Sequence, residues 1–576
     1  MASIVELKST YALVVVAALL CGCSTRSYVS ATGSTPPEYT HVYLTVKELW
    51  LHPQASAQAD DSGWSKFPLS APVTVDLVSV SNGTLGKLVG GLRLSPGTYS
   101  QVRLIPVDNS VALTDSAKAL SASYNNEVDY VDSGSVSHQL PLEILAPDVG
   151  IGIAGDLKVS LGGGPLPIAA GTSGTGNSTQ TSSGPTILNF ALNFNATSDI
   201  ALFQSGSELG AILNSHAQAF DLSKCGGISG TLTLTNINNI TNKSGRLNLS
   251  ATAESLSSDG SRHVIVLSAP VHSDGTFLLY PLPARDSKTN FTTYDVVIHG
   301  AGIQTIIVKG VEVTRSSGSS SSASNAMTIG TANTSIGTLI PQPATAYQLN
   351  LATGSSLPAG ATVSLYQTLP GSSEVPYVIE QSVIDPFNTK FQNDLVASTD
   401  AIQKGLFVTG TQSITLTSAT PVQGNGSYTV AASGYKFADG SLTVIAGPPT
   451  TTASTLFSPA TLSMASGQSS NTMTAFVTHS SAGSYNRGQM IISRDGTIIA
   501  TTSLDAALAV ATGANVPVNG LPGGSSSLSA DATAIYDVTV RVWNATDPAG
   551  TLQRRSFPAA VDVRNGNAIG VQIAIN

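Results

Sequence analysis

The chain has 576 residues, which is enough for several domains that each bury a hydrophobic core of their own. Only 11% of its residues are charged, against roughly 25% in an average globular domain, and the formal net charge is −9. Its basic residues are scattered, with Arg554-Arg555 as the main adjacent pair. This composition excludes a phosphate-binding track, so we expect no nucleic-acid partner.

An apolar run of ten residues lies near the amino terminus, from Tyr11 to Leu20. A membrane-spanning helix needs about 20 apolar residues, so this run is too short to span a bilayer. Its length fits the hydrophobic region of a secretion signal, although Glu6 offsets the charge of Lys8. The sequence therefore predicts a signal peptide over residues 1–22.

The four residues after this run, Leu20-Cys21-Gly22-Cys23, resemble a bacterial lipobox. The resemblance implies cleavage between Gly22 and Cys23, a diacylglyceryl group on Cys23 and acylation of the new amino terminus. It also implies a bacterial envelope protein that is held in a membrane, the outer membrane by expectation, through its N-terminal lipid. The alternative is an ordinary signal peptide with a chance cysteine.

Short alternating strands separated by Gly, Pro, Asn and Asp make up most of the remaining sequence. Strand patterns are clear at residues 41–46, 99–105, 230–235, 294–298 and 536–542. Helical patterns are scarce, with the best at 209–220 and a weaker one at 391–404. We therefore predict an all-β fold of tandem β-sandwich domains, Ig-like or transthyretin-like, behind the signal peptide.

Composition shifts divide the chain into segments. The predicted boundaries are a flexible tether at 23–38, a β domain at 39–222 with a Gly/Ser-rich insertion at 162–184, a β-sandwich at 226–315, a Ser/Gly linker at 316–325, a second β-sandwich at 326–448 and an Ig-like β domain at 450–576. Because a Ser/Gly linker behaves as a flexible coil, we expect the domains on its two sides to move independently.

Residues 39–222 resemble an uncharacterised bacterial lipoprotein domain of unknown function. The resemblance rests on HVYLTVKELWLHP (41–53), Gly63-Trp64, LSPGTYSQVRL (94–104) and TILNFALNFNATS (186–198). Members of that family sit directly behind a lipobox, as here. The resemblance therefore implies a location and a fold, and no activity.

Residues 226–314 resemble a carboxypeptidase regulatory-like, or transthyretin-like, β-sandwich. The matching segments are GTLTL (230–234), SDGTF (273–277), YPLPA (280–284) and YDVVI (294–298). In that superfamily the sandwich is a non-catalytic accessory that supports a neighbouring domain. The resemblance thus implies a supporting role for this part of the chain.

Signatures of catalysis and of metal binding are missing from the sequence. It contains no HExxH motif, no G-x-S-x-G elbow and no phosphate-binding loop. The turns Asp259-Gly260 and Asp274-Gly275 lack the alternating carboxylates of a calcium loop. Four carboxylates of the 39–222 domain could still meet in space, namely Glu48, Asp76, Asp108 and Glu143. We predict no enzyme activity, no cofactor and no bound metal.

Trp50 and His52 are the predicted ligand contacts, because they alternate with the Leu49 and Leu51 face of one strand. An exposed aromatic face there could stack on a sugar ring, whereas core packing is the alternative for Trp50. The sequence thus predicts a binding, adhesive or structural module that recognises an envelope polysaccharide or another envelope protein, with any binding in residues 39–222. The alternative is a carbohydrate-active enzyme, or its accessory, whose carboxylates assemble only in the fold.

Overall fold

The computed structural model describes most of the chain from residue 25 onwards. The described residues are 25–81, 83–132, 134–159, 188–205, 208–235, 247–285, 292–315, 328–329, 334–349, 357–387, 395–398, 401–410, 414–424, 427–434, 443–445, 462, 470–479, 485–524, 533–546 and 552–575. The signal peptide with Gly22 and Cys23, the Gly/Ser-rich insertion at 162–184 and the 316–325 linker lie outside these residues. The predicted all-β fold of tandem sandwiches is confirmed.

The first half of the described chain contains eighteen strands. They are β1 (Thr25–Ser34), β2 (Tyr39–His52), β3 (Ser65–Asp76), β4 (Thr84–Leu94), β5 (Gly97–Pro106), β6 (Glu127–Val131), β7 (Ser137–Ile144), β8 (Ile151–Val159), β9 (Leu188–Asn195), β10 (Ile200–Ser205), β11 (Glu208–Leu213), β12 (Gln218–Asp221), β13 (Cys225–Leu232), β14 (Leu249–Leu256), β15 (His263–Pro270), β16 (Thr276–Pro283), β17 (Thr292–Gly300) and β18 (Ile306–Val313).

The second half contributes a further seventeen strands to the described residues. They are β19 (Thr328–Ile329), β20 (Thr334–Leu339), β21 (Ala346–Leu349), β22 (Thr362–Gln367), β23 (Tyr377–Val383), β24 (Leu395–Ser398), β25 (Ile402–Leu406), β26 (Thr417–Ala419), β27 (Tyr428–Ser433), β28 (Thr443–Ile445), β29 (Ser470–His479), β30 (Arg487–Arg494), β31 (Thr497–Ser503), β32 (Ala514–Pro522), β33 (Ile535–Trp543), β34 (Gln553–Asp562) and β35 (Ala568–Ile575). The helices are short: α1 (Asp115–Ala119), α2 (Ala196–Asp199), α3 (Asp505–Leu508) and a 3₁₀ turn (Leu222–Lys224).

Strands β1 to β12 form the first domain around one hydrophobic core. Along its sheet the order is β10-β11-β7-β6-β2-β5-β8-β12-β9-β1-β4, and β3 pairs with β2. Strand β1 runs parallel to β9 and antiparallel to β4. The predicted tether at 23–38 is therefore wrong for residues 25–34, because Val29 and Ala31 point into the core and anchor the strand.

The helix predicted at 209–220 is also wrong, since strands β11 and β12 occupy that stretch. Ala211, Ile212 and Leu213 are all buried, because β11 lies between β10 and β7. A continuously buried run of this length has no alternation that would distinguish a strand from a helix. The weaker helix at 391–404 likewise overlaps strands β24 and β25.

The second domain is built on β13 to β18, and it has its own hydrophobic core. In it the predicted turn glycine Gly275 adopts φ +83°, and a Cβ on that residue would lie 2.2 Å from the Leu232 carbonyl oxygen. Glycine is therefore required at this turn, immediately before β16 begins at Thr276.

Strands that follow residue 326 in the sequence pair with strands of both earlier domains. Strand β19 pairs with β4, β20 pairs in parallel with β13, and β25 pairs in parallel with β18. Within this segment, β22, β23, β27 and β28 form a four-stranded sheet and β21 pairs with β24, both without strands of the earlier domains. The predicted boundaries at 316–325 and 326–448 therefore do not separate independent domains, because backbone hydrogen bonds join the segments across them.

The described residues of the C-terminal domain form seven strands in two sheets. Their orders are β32-β29-β35 and β31-β30-β33-β34, and buried residues such as Met473, Ile492 and Val538 fill the space between them. Two sheets around one hydrophobic core make this domain a β-sandwich.

Candidate functional site

The most distinctive polar structure of the first domain is the segment that connects β5 to β6. We call residues 107–126, which include helix α1, the α1 loop. Thr114 caps the helix, accepting a hydrogen bond from the Ala117 backbone N–H at 3.3 Å. The loop packs on β2, where the Tyr43 hydroxyl donates to the Leu120 carbonyl at 3.2 Å.

Two adjacent asparagines hold the loop in one conformation. The buried Asn125 amide lies within 3.3 to 3.4 Å of the carbonyls of Asp108, Val111 and Ala112, and its oxygen accepts from the Thr114 backbone N–H at 2.9 Å. Asn126 accepts from the Thr45 backbone N–H at 3.0 Å and donates to the Val107 carbonyl at 2.7 Å. These bonds join both ends of the loop to the sheet.

The α1 loop presents three large apolar side chains to solvent. Val111, Leu120 and Tyr124 are 53%, 40% and 38% exposed, respectively. A loop held by buried hydrogen bonds loses little conformational entropy when it binds a partner. Exposed apolar side chains on such a loop are a typical binding surface.

A pair of carboxyl groups lies beneath the loop, at the start of β6. The Oε2 atom of Glu127 accepts from the backbone N–H groups of Ser123 and Tyr124 at 2.6 and 2.7 Å. Oε1 of Glu127 and Oδ1 of Asp129 are buried without a donor among the described residues. The two side chains are within hydrogen-bonding reach of each other, and two acceptors can bond only if one carries a proton.

Burial and the neighbouring Asp129 raise the pKa of Glu127 to about 7. The same face of the sheet carries Tyr43, whose pKa burial raises to about 12, with further contributions from Asp76, Asp129 and Glu127. At the solvent edge His41 contacts Asp76, with 2.9 Å between Nδ1 and Oδ2. Glu127, Asp129, Tyr43, His41 and Asp76 thus form one polar cluster beside the α1 loop, which we call the acidic slot.

The predicted ligand contacts, Trp50 and His52, lie elsewhere on β2 and are buried, with 7% and 3% exposure. The ammonium group of Lys66 covers the Trp50 ring at 3.6 Å from its centroid. His52 donates from Nε2 to the Ser62 carbonyl and accepts at Nδ1 from the Gln54 backbone N–H. Both residues pack around Trp64, so the structure assigns them to the core and the expectation of ligand contact is corrected.

The four carboxylates singled out in the sequence do not meet. Asp76 belongs to the acidic slot, whereas Asp108 accepts from the Ser110 backbone N–H in a turn. Glu143 is buried in an ion pair with Arg541 of the C-terminal domain, with 3.0 Å between Oε1 and Nη2. Glu48 is half-buried on β2. The pair that does form, Glu127 and Asp129, was not among the four.

The C-terminal domain docks on the first domain through the hairpin of β30 and β31. Its turn is Asp495-Gly496, with φ +52° and +90°, as a tight hairpin requires. The carbonyl of Asp495 accepts from the Gly152 backbone N–H at 3.1 Å, and the carboxylate of Asp495 accepts from Arg103 at 2.5 Å. Arg103 is 2% exposed and also donates to the carbonyls of Ala57 and Val149.

A small hydrophobic core joins three parts of the chain at this interface. It contains Leu145, Ala201, Phe203 and Ile212 from the first domain, Val383 from β23, and Ile491 and Ile498 from the C-terminal hairpin. Arg541 is fully buried beside it, 4.7 Å from the Phe203 ring, and donates to Gln489. The first and last domains therefore form one packed unit instead of moving independently.

We expect this docking to survive a break in the chain. If a protease site is inserted within residues 450–460 and cleaved, the fragment that carries the C-terminal domain should remain bound to the rest, because buried ion pairs and a shared core hold it. Size-exclusion chromatography of the cleaved protein measures this directly. Elution as two separate species would contradict the interface.

A matched pair of glycine substitutions provides the control. A Cβ on Gly152 would lie 2.6 Å from the Cβ of Asp495, whereas a Cβ on Gly134 would lie 3.2 Å from the side-chain oxygen of Asp132 within its own loop. Gly152→Ala should therefore promote dissociation of the cleaved protein, and Gly134→Ala should leave it associated.

Over the described part of the chain, no group of three or more His, Cys, Asp or Glu side chains is arranged to hold a metal ion. Among those same residues, no helix has the length and apolar character needed to cross a membrane. Cys225 is buried with its thiol against the Asp221 carbonyl, and burial raises its pKa to about 12.

Sequence reasoning missed Asn125, Asn126, Glu127 and Asp129. Their signal is the run Asn-Asn-Glu-Val-Asp, in which two residues that favour turns precede alternating acids at the start of a strand. The alternation places both acids on one face, and the asparagines mark the end of a loop. The burial of that face depends on α1, which the run itself does not reveal.

Comparison with known proteins adds little about activity. No curated protein sequence matches the chain. Among solved structures it is similar to the Bacillus anthracis TIE protein at 8% identity and a TM-score of 0.15, covering 95% of this chain and 73% of that one. It is also similar to BcpA, the major pilin subunit of Bacillus cereus, at 8% identity and a TM-score of 0.12, covering 61% and 99%.

These TM-scores are too low to support any argument about fold or function. One match to a family of sequences covers most of the first domain. It starts within β1, which is a strand of that domain's sheet. Residues 29–207 match the family described as Domain of unknown function (DUF4382).

Proposed function

We propose that the protein is a lipid-anchored binding module of the bacterial cell envelope and that it acts by recognition without catalysis. The observation that carries this proposal is the α1 loop, which presents Val111, Leu120 and Tyr124 on a backbone fixed by Asn125 and Asn126. The lipobox-like Cys23 and the signal-like segment before it support the envelope location.

The packing of the domains supports a structural role for the rest of the chain. Arg103, Glu143 and Arg541 are charged and buried, and each of them holds one domain against another. Such contacts would keep the α1 loop in a constant orientation relative to the C-terminal domain. The ligand that we propose is an envelope polysaccharide or a neighbouring envelope protein.

A binding array tests this proposal with the soluble chain from residue 24 to residue 576. We expect a ligand that the wild type retains and that the triple variant Val111→Ser, Leu120→Ser, Tyr124→Ser loses. The matched control is Leu256→Ser, Val408→Ser, Val422→Ser, which removes three exposed apolar side chains far along the chain from the loop. Retention by the loop variant and loss by the control would refute the assignment.

The acidic slot favours a second candidate, a carbohydrate-active enzyme or its accessory. Glycoside hydrolysis uses two carboxyl groups that stand about 5–9.5 Å apart on either side of the sugar. Glu127 and Asp129 lie within hydrogen-bonding reach of each other, so together they supply only the proton donor, and a second carboxylate would have to join them. Incubating the soluble chain with envelope polysaccharides tests this directly. Release of reducing ends that disappears in Asp129→Asn would favour the enzyme over the binding module.

A further inference from the structure

We propose that Glu127 and Asp129 form a proton-operated latch that holds the α1 loop closed, so that the binding surface responds to pH. This inference rests on the proposed function of the loop, but its test does not need the ligand. Glu127 is the only side chain of the described β6 whose carboxylate reaches the backbone of the loop, through Ser123 and Tyr124. Its other oxygen faces the second acid instead of a donor.

Among the described residues, none of the groups around Glu127 and Asp129 is a positive partner for them. From β2, Tyr43 faces it as an uncharged phenol, and His41 is already engaged with Asp76 of β3. From β7, the residues opposite Glu127 and Asp129 are Pro141 and Gln139, which carry no charge.

Helix α1 contributes only an exposed ion pair between Lys118 and Asp115, 3.4 Å apart. A shared proton is therefore what allows both acids to remain buried side by side. When that proton is lost, two negative charges remain in a site that excludes water, and repulsion between them favours the opened loop.

The sign of the pH dependence follows from the raised pKa of Glu127. The closed loop binds the proton more tightly than the opened loop, in which the group returns to its ordinary pKa of about 4.5. The latch is therefore fully stable below about pH 4.5, weakens as the pH rises towards about 7, and changes no further above that value.

Hydrogen exchange of the intact chain at about pH 5 and about pH 8 tests the latch. After correction for the intrinsic rate, amides of residues 120–126 should exchange at least about tenfold faster at the higher pH, since each unit of pKa shift corresponds to a factor of ten. Glu127→Gln should remove most of this difference, because its amide can accept from the loop and donate to Asp129 without a titrating proton.

Asp129→Asn provides a second route to the same result if the glutamine variant fails to fold. Asp115→Asn is the matched control, since that carboxylate is exposed on α1, and it should keep the wild-type pH dependence. A wild-type loop whose corrected exchange is the same at both pH values would overturn the latch. An undiminished pH dependence in both amide variants would also overturn it. Loss of ligand binding in the α1-loop variant is a separate outcome and bears only on the proposed function.

Discussion

Replacing Arg541 with Met is expected to destabilise the protein by about 3–5 kcal/mol, which is typical for one partner of a buried ion pair. Arg541 is fully buried, and its loss leaves the Glu143 carboxylate in the interface with Arg554, at 3.7 Å, as its remaining cation among the described residues. Methionine retains most of the apolar contact with Phe203, so lost packing does not explain the effect. Urea unfolding followed by tryptophan fluorescence measures it.

Two further variants identify the cause of this loss. Adding Glu143→Gln to Arg541→Met should restore most of the stability, because the buried carboxylate is then gone and Arg554, which loses it, is partly exposed to water. Arg564→Met should cost less than about 1 kcal/mol, since its ion pair with Asp562 is exposed. A stability of Arg541→Met within about 1 kcal/mol of the wild type would show that the interface does not form as described.

Replacing Cys23 with Ala is expected to release nearly all of the protein from the membrane. The substitution removes the residue that the lipobox resemblance assigns to the diacylglyceryl group. Each buried CH₂ contributes about 0.8 kcal/mol, and stable attachment needs more than one chain. Cys225 offers no substitute, because it is 2% exposed and its Sγ contacts the Asp221 carbonyl.

The matched control is Cys21→Ala, which alters the neighbouring cysteine on the other side of the expected cleavage point. That variant should partition into the detergent phase like the wild type. If Cys23→Ala also remained in the detergent phase, the lipobox assignment would be wrong and another anchor would be needed.

Strand positions were the part of the fold that the sequence predicted best. Residues 41–46, 99–105, 294–298 and 536–542 lie within β2, β5, β17 and β33. Each of these segments alternates apolar and polar residues, which is the pattern that predicts a strand. The polar face need not be open, because Gln101 and Arg103 of β5 and Arg541 of β33 are buried. Where both faces carry apolar residues, as in β11, the alternation disappears and the prediction fails.

Long-range partners were the part that the sequence could not supply. Nothing in the residues around Arg103 indicates that its partner is Asp495, 392 positions later. The same limit explains the error at Trp50, because strand alternation shows which face a residue occupies and not what covers that face. Lys66 and Trp64 cover it here, and both belong to the next segment of the chain.

The contact between Arg103 and Asp495 also affects how the protein is made. Synthesis proceeds at about 5–20 residues per second, so about 20–80 s separate the appearance of these two residues. During that interval Arg103, Glu143 and Phe203 have none of their C-terminal partners, and an apolar surface of the first domain remains uncovered. The first domain therefore completes its surface only when the last hundred residues of the chain are present, and we expect a chain that ends before the C-terminal domain to expose this surface and to be prone to aggregation.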